Sequence, residues 1–184
     1  AKGGGGGDET APSGKANPKV QAWAEKKFKD TEKAKAFAEW FGDSKVVDEN
    51  GDPLTVYHGA TQQFDEFSEN SFFSDKPDVA GAFAISRAEN AGEDNPTART
   101  IPAFVRLSNP LIIDAGGKPA GDIQFSSGDK YGYHKGIASA KYDGVIVTNT
   151  RDEGVLYVVK KPTQIKSATG HRGTFDPKSP KITE

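Results

Sequence analysis

Cysteine is absent from the chain. Without thiols there is no disulfide framework, no thiolate nucleophile and no cysteine-ligated metal. Histidine is scarce: His58, His134 and His171 are scattered, with no pair at ligand spacing on one helix, so a zinc site is not expected. No run of 18 apolar residues occurs and the first residues lack the apolar core of a leader peptide, so a soluble, intracellular chain with no membrane partner is expected. Neither sign of charge dominates. With 24 Lys+Arg against 26 Asp+Glu, there is no general electrostatic reason for nucleic acid or an anionic membrane as partner. The local exception runs from Lys160 to Glu184, where six Lys/Arg face two acids; it could meet phosphates or form a solvated basic surface. No phosphate loop of the Walker or dinucleotide-fingerprint type is present either, and the pentaglycine near the start is not one.

What remains is enough for one domain with a real core: 184 residues, 34% of them hydrophobic and 10% aromatic. Residues 1–16, "AKGGGGGDETAPSGKA", offer almost no apolar surface to offset the entropy of ordering, and read as a disordered linker, either a remnant of cloning or the joint to a larger protein. Residues 17–44 read as two helices. Asn17 is an N-cap with Pro18 behind it, Asp30 or Thr31 opens "TEKAKAFAEWF", and Gly42 closes it; Ala34, Phe37, Ala38 and Phe41 share one face.

From residue 45 to 184 the pattern turns to short strands. "SKVVDENGDPLTVYHG" predicts a hairpin around Asn50-Gly51, with His58 at the end of its second strand. Phe72-Phe73 precedes a helix capped by Ser74 or Asp75, with Val79, Ala82, Phe83 and Ser86 on one side. "IPAFVRL", "LIID", "GVIVT", "LYVVK" and "QIKS" are further strands, and residues 115–136 read as a long variable loop. In "TQIKSA" alternation sets Ile165 and Ser167 on one face, Gln164 and Lys166 on the other. The fold class is α+β, strand-rich, with early helices on one side.

Four pieces fall in order along this chain: Tyr57-His58-Gly59-Ala60; Phe72-Phe73-Ser74, with Phe83 eleven residues after Phe72; Tyr142-Asp143-Gly144; and "LYVVKKPTQIKSATGHRGTFDP". Together they resemble the ADP-ribosyltransferase domains of the diphtheria-toxin-like, His-Tyr-Glu type. They are most similar to those of phage-encoded polyvalent and head-associated proteins, in which "WFGDSKVVDENGDPL", "YHG" and "QIKSATG" followed by "GTFDP" recur. The resemblance runs from about Trp40 to Ile182 and implies a split β-sheet sandwich around an NAD cleft.

It further implies roles for particular residues. His58 and Gly59 would sit at the cleft with Ala60 behind them, the glycine backbone holding the nicotinamide carboxamide and the imidazole bonding a ribose hydroxyl. Both suit the chemistry, since glycine admits close approach of backbone to ligand and a neutral imidazole can donate and accept. Phe72 and Phe83 would sandwich the nicotinamide, Phe73 would turn to the core, and Ser74 would leave room for the carboxamide and bond to it.

The family's catalytic glutamate, which binds the 2'-hydroxyl of the nicotinamide ribose, opens the strand that begins here at Leu156. A leucine cannot stabilise the positive charge that develops as the glycosidic bond breaks. Two alternatives stay open: Glu153 or Asp152 reaches in from the upstream loop, which Gly154 would help to bend, or the site is impaired, natively or by substitution. Glu153 is the one acid retained as a catalytic candidate beside His58 and position 156. The expected function is mono-ADP-ribosyl transfer from NAD to a macromolecular acceptor, protein or nucleic acid; the alternative is a degenerate module that binds NAD or a partner. The place two residues before Leu156, where arginine-directed relatives carry an acid, is Gly154. A soluble monomer is expected, virion-associated or delivered into a host cytoplasm.

Overall fold

The computed structural model describes residues 16–184. The linker expected over 1–16 therefore lies, except for its last residue, outside the described residues. Two packed helices come first. In α1, Pro18–Phe28, the Asn17 side chain accepts from the N–H groups of Lys19 and Val20, satisfying orphan donors of the first turn, and Lys29 ends the helix in the left-handed region. In α2, Thr31–Phe41, Asp30 accepts from the Lys33 N–H and Gly42 closes the helix at positive φ. Ala34, Phe37, Ala38 and Phe41 are all buried, as the spacing of that face predicts, and Trp40 is buried beside them. They pack with Phe104 and Phe175; the Phe37 ring lies 5.0 Å from Phe104 and 5.1 Å from Phe175, both edge-on. Each such aromatic burial is worth about 1.5–3 kcal/mol, which fastens the helix pair to the strands.

The strands follow: β1 Val56–Ala60, β2 Ser71–Ser74, β3 Arg99–Val105, β4 Leu111–Asp114, β5 Gly144–Thr148, β6 Leu156–Val159 and β7 Ile165–Ser167. The helix α3, Pro77–Asn90, links β2 to β3, and α4, Ala120–Gln124, and α5, Tyr133–Ala138, lie between β4 and β5. One mixed sheet runs in the order β4-β5-β6-β2-β1-β3-β7. Its middle is nearly cut. β1 pairs with β3 along its whole length, and β2 with β6 likewise, but β1 and β2 share the single pair Tyr57↔Ser74. The sheet is therefore two half-sheets hinged at one residue pair, and the gap between them opens from His58 onward.

Period-two alternation sends residues of each half-sheet to separate cores. Phe73, Tyr157, Val159 and Ile146 join Val56, Val105 and Ile165 on one face; Leu156, Val158, Val145 and Val147 join Ile123 and Tyr133 on the other.

Five local expectations are corrected. His58 is mid-strand, opposite Ile101, because the β3 ladder continues to Ala60; only the pairing toward β2 stops before it. Residues 115–136 contain α4, a 3-10 turn at Ser127–Asp129 and the start of α5. Their polar composition hid the anchors: Ile123 and Tyr133 are buried, and the Asp129 carboxylate accepts from the N–H groups of His134 and Lys135. The α3 N-cap is Lys76, not Ser74 or Asp75, whose side chains are spent on the N–H groups of Lys76 and Val155 respectively. The buried face of α3 is Ala80, Ala84 and Ala88, while Ala82 and Ser86 are exposed. The hairpin is also shorter than the sequence suggests. Asn50-Gly51 does form its turn, but Val47↔Pro53 is an isolated bridge and the following strand pairs elsewhere.

The "QIKSA" phrase is structural. Gln164, wholly buried, donates to the carbonyls of Arg106 (2.9 Å) and Asp143 (3.0 Å) and accepts from the Lys161 N–H (3.0 Å). Lys166, also wholly buried, ties down the C-terminal segment through the carbonyls of Ser179 (3.1 Å) and Lys181 (3.3 Å). Burial pushes its pKa down to about 8 against the pull of Asp176 and Glu184. Asp143 likewise serves the backbone, accepting from the N–H groups of Ser108 (2.6 Å) and Asn109 (3.1 Å).

Candidate functional site

Where β1 and β2 part, the side chain of His58 takes the place of the missing ladder. Its Nδ1 lies 2.6 Å from the Phe72 carbonyl oxygen. A carbonyl only accepts, so Nδ1 carries the proton in this bond and Nε2 is left as the acceptor. Burial lowers the pKa of His58; the bond to Phe72 opposes that shift and the Arg87 charge adds to it. The ring is thus neutral at pH 7, edge-on to Phe67 at 5.0 Å and Phe64 at 5.9 Å. Such an imidazole is set to accept from a hydroxyl.

Gly59 is where α3 presses on β1. A Cβ there would stand 1.8 Å from the Ala80 carbonyl oxygen and 3.0 Å from the Ala84 Cβ. Only glycine permits the approach, and it explains why α3 turns alanines toward the strand. One turn further on, an Arg87 Nη2 donates to the Gly59 carbonyl at 2.7 Å. The gap, its helix and the segment between β1 and β2 enclose a cleft of about 450 Å³, within the range of small-molecule sites. His58, Phe72, Ser71 and Arg87 line it, with Phe64, Phe67, Glu66 and Glu69 from the connecting segment.

The remaining sequence candidates divide around this cleft. Phe72 lines it and also packs, with Phe83, against the core that contains Leu156. Leu156 is 4% exposed and stands directly opposite Ser74 in the β2–β6 register. Ser74 Oγ donates to the Glu153 carbonyl at 3.1 Å. The Glu153 carboxylate is itself engaged, accepting from the Ala120 N–H at 2.7 Å at the first turn of α4. Asp152 is exposed, and its carbonyl accepts from Lys76 Nζ at 3.4 Å. Ala60 is buried at the end of β1, paired with Arg99. Of the sequence candidates, His58 and Phe72 thus line the cleft; Gly59 and Ser74 lie on the strands beside it without lining it, Phe83 and Leu156 belong to the neighbouring core, and Glu153 is committed to the neighbouring helix.

Of the ten residues lining the cleft, eight escaped the sequence, the charged ones being Arg87, Glu66 and Glu69. A signal existed for the first. Ala80, Ala84 and Arg87 recur at four- and three-residue steps, one face of a helix, and small residues at that spacing mark close contact with another backbone. Glu66 and Glu69 lie in a stretch whose only pattern is the aromatic pair Phe64 and Phe67. Among the described residues, no group of three or more His, Asp or Glu is placed to hold a metal ion, and no helix is long and apolar enough to cross a membrane.

No curated protein and no solved structure matches the chain. A family described as ADP-Ribosyltransferase in polyvalent proteins does match, over residues 48–175, a span that takes in both half-sheets, α3 and the cleft. With most of its length covered in this way, the chain belongs to the ADP-ribosyltransferase domains of polyvalent proteins.

Proposed function

We propose that this ADP-ribosyltransferase domain takes NAD as donor in the split between β1 and β2, and that its turnover is impaired because no carboxylate stands at the position of the catalytic glutamate. The observation that carries the second half is Leu156: 4% exposed, in an apolar core with Phe72 and Phe83 packed against it, opposite Ser74. The nearest acid along the chain offers no replacement, since Glu153 is held by the Ala120 N–H. Transfer of ADP-ribose requires nicotinamide to leave C1 of its ribose, and a carboxylate lowers that barrier by stabilising the positive charge. What the proposed site retains is orientation: a neutral His58 that accepts through Nε2 and the aromatic ring of Phe72, both lining the cleft. The acceptor would be a macromolecule, reached by a domain carried in a polyvalent protein and delivered with a phage particle.

Calorimetry with NAD and with nicotinamide tests the donor site. His58→Ala should weaken NAD binding by the worth of one neutral hydrogen bond, about 0.5–1.5 kcal/mol, and Phe83→Ala should weaken nicotinamide binding. Unchanged affinity in both variants would remove the donor site from this cleft.

A further inference from the structure

Among the described residues, Arg87 is the one cation that lines the cleft. Its guanidinium is anchored on one side, with Nη2 on the Gly59 carbonyl at 2.7 Å, and α3 holds its stem through Ala80 and Ala84 against β1. Its residue is otherwise exposed, so the other N–H donors remain open to solvent. Glu66 and Glu69 line the same cleft, yet among the described residues neither forms an ion pair with it. A fixed guanidinium with spare donors, unneutralised by acids on the same wall, is a receptor for a planar or forked oxyanion. Gly59 and His58 stand beside it on β1.

We propose that Arg87 binds the diphosphate of the dinucleotide, with its grip on Gly59 fixing where the diphosphate lies relative to His58. The proposal rests on the NAD site proposed above. If the nicotinamide ribose meets His58, the diphosphate begins one ribose away, in the same cleft that Arg87 lines.

The test separates anion binding from mere support of Gly59. Affinities of wild type, Arg87→Gln and Arg87→Lys are measured by calorimetry for NAD, ADP-ribose and nicotinamide at two salt concentrations, with thermal melts showing that each variant is folded. A charge-assisted contact to phosphate predicts that Arg87→Gln weakens NAD and ADP-ribose by about 10- to 100-fold. Nicotinamide, which has no phosphate, should bind as before, and the salt dependence of NAD binding should diminish. Arg87→Lys should fall between, retaining charge without the fork. An equal loss for nicotinamide would assign Arg87 to holding Gly59 alone and overturn the proposal. So would unchanged NAD and ADP-ribose affinity in Arg87→Gln, while the donor site itself would stand. Wild-type protein that binds none of the three ligands would instead sink the donor site, and the role of Arg87 with it.

Discussion

Replacing Gly59 by alanine puts a methyl group where α3 already is. The added Cβ would sit 1.8 Å from the Ala80 carbonyl oxygen and 2.6 Å from its carbon, both backbone atoms that no rotamer change can move. Ordinary contact needs nearly twice the shorter distance, so the first half of α3 must lift away from β1. Lifting it exposes the alanine stripe 80, 84 and 88 and pulls on the Arg87–Gly59 bond. Overpacking of this kind costs about 1–3 kcal/mol, and for a chain of this size each kcal/mol lowers Tm by about 2–4 °C. The control lies in the same helix. At Gly81 the nearest atom to an added Cβ is 4.0 Å away, and a helix-interior glycine replaced by alanine gains about 0.5–1 kcal/mol. Thermal and urea melts of Gly59→Ala and Gly81→Ala should therefore move in opposite directions from wild type. A Gly59→Ala protein as stable as wild type would mean that α3 does not rest on β1, and the cleft geometry would fall with it.

Two further outcomes follow from buried polar groups. Burial holds the His58 pKa below its ordinary 6.5, so as pH falls the unfolded chain takes up the proton first; the contribution to stability is full above about pH 6.5 and is lost on further acidification. Wild type should lose more stability between pH 7 and pH 5 than His58→Gln does, and parallel pH profiles by urea melts would contradict the neutral, buried imidazole. Gln164→Leu deletes three hydrogen bonds inside the core and should cost about 1.5–4.5 kcal/mol; a loss below 0.5 kcal/mol by the same assay, itself about the least expected of a single bond, would show that Gln164 does not tie Arg106, Asp143 and Lys161 together as described.

The two N-terminal helices were readable because their signals are local. An Asn-Pro start, an Asp cap and a glycine stop act within a few residues, and the large apolar side chains of α2 share one face. The family phrases were readable too, since spacing along the chain survives whatever the fold does. The corrections came from long-range causes. His58 looked like a strand terminus because β1 loses β2 there, while β3, forty residues on, continues the ladder. The large residues of α3 suggested its buried face, but the cleft side needs alanines to fit beside Gly59. Helices α4 and α5 are too short to show a period, and α4 starts at an N–H satisfied by Glu153, 33 residues away. That same bond is why Glu153, plausible by proximity in sequence, is engaged elsewhere in the fold.

The position of Leu156 decides between an impaired transferase and one that works by another acid. The measurement is nicotinamide release from NAD by wild type, Leu156→Glu, Leu156→Gln and Glu153→Gln, each first shown to be folded. A single well-placed electrostatic group is worth about 100- to 1000-fold in rate. Leu156→Glu should exceed wild type by a rise of that order, Leu156→Gln should not, and Glu153→Gln should match wild type because an amide oxygen can still accept from the Ala120 N–H. Full activity in wild type that Glu153→Gln abolishes would contradict the account and make Glu153 the catalytic acid.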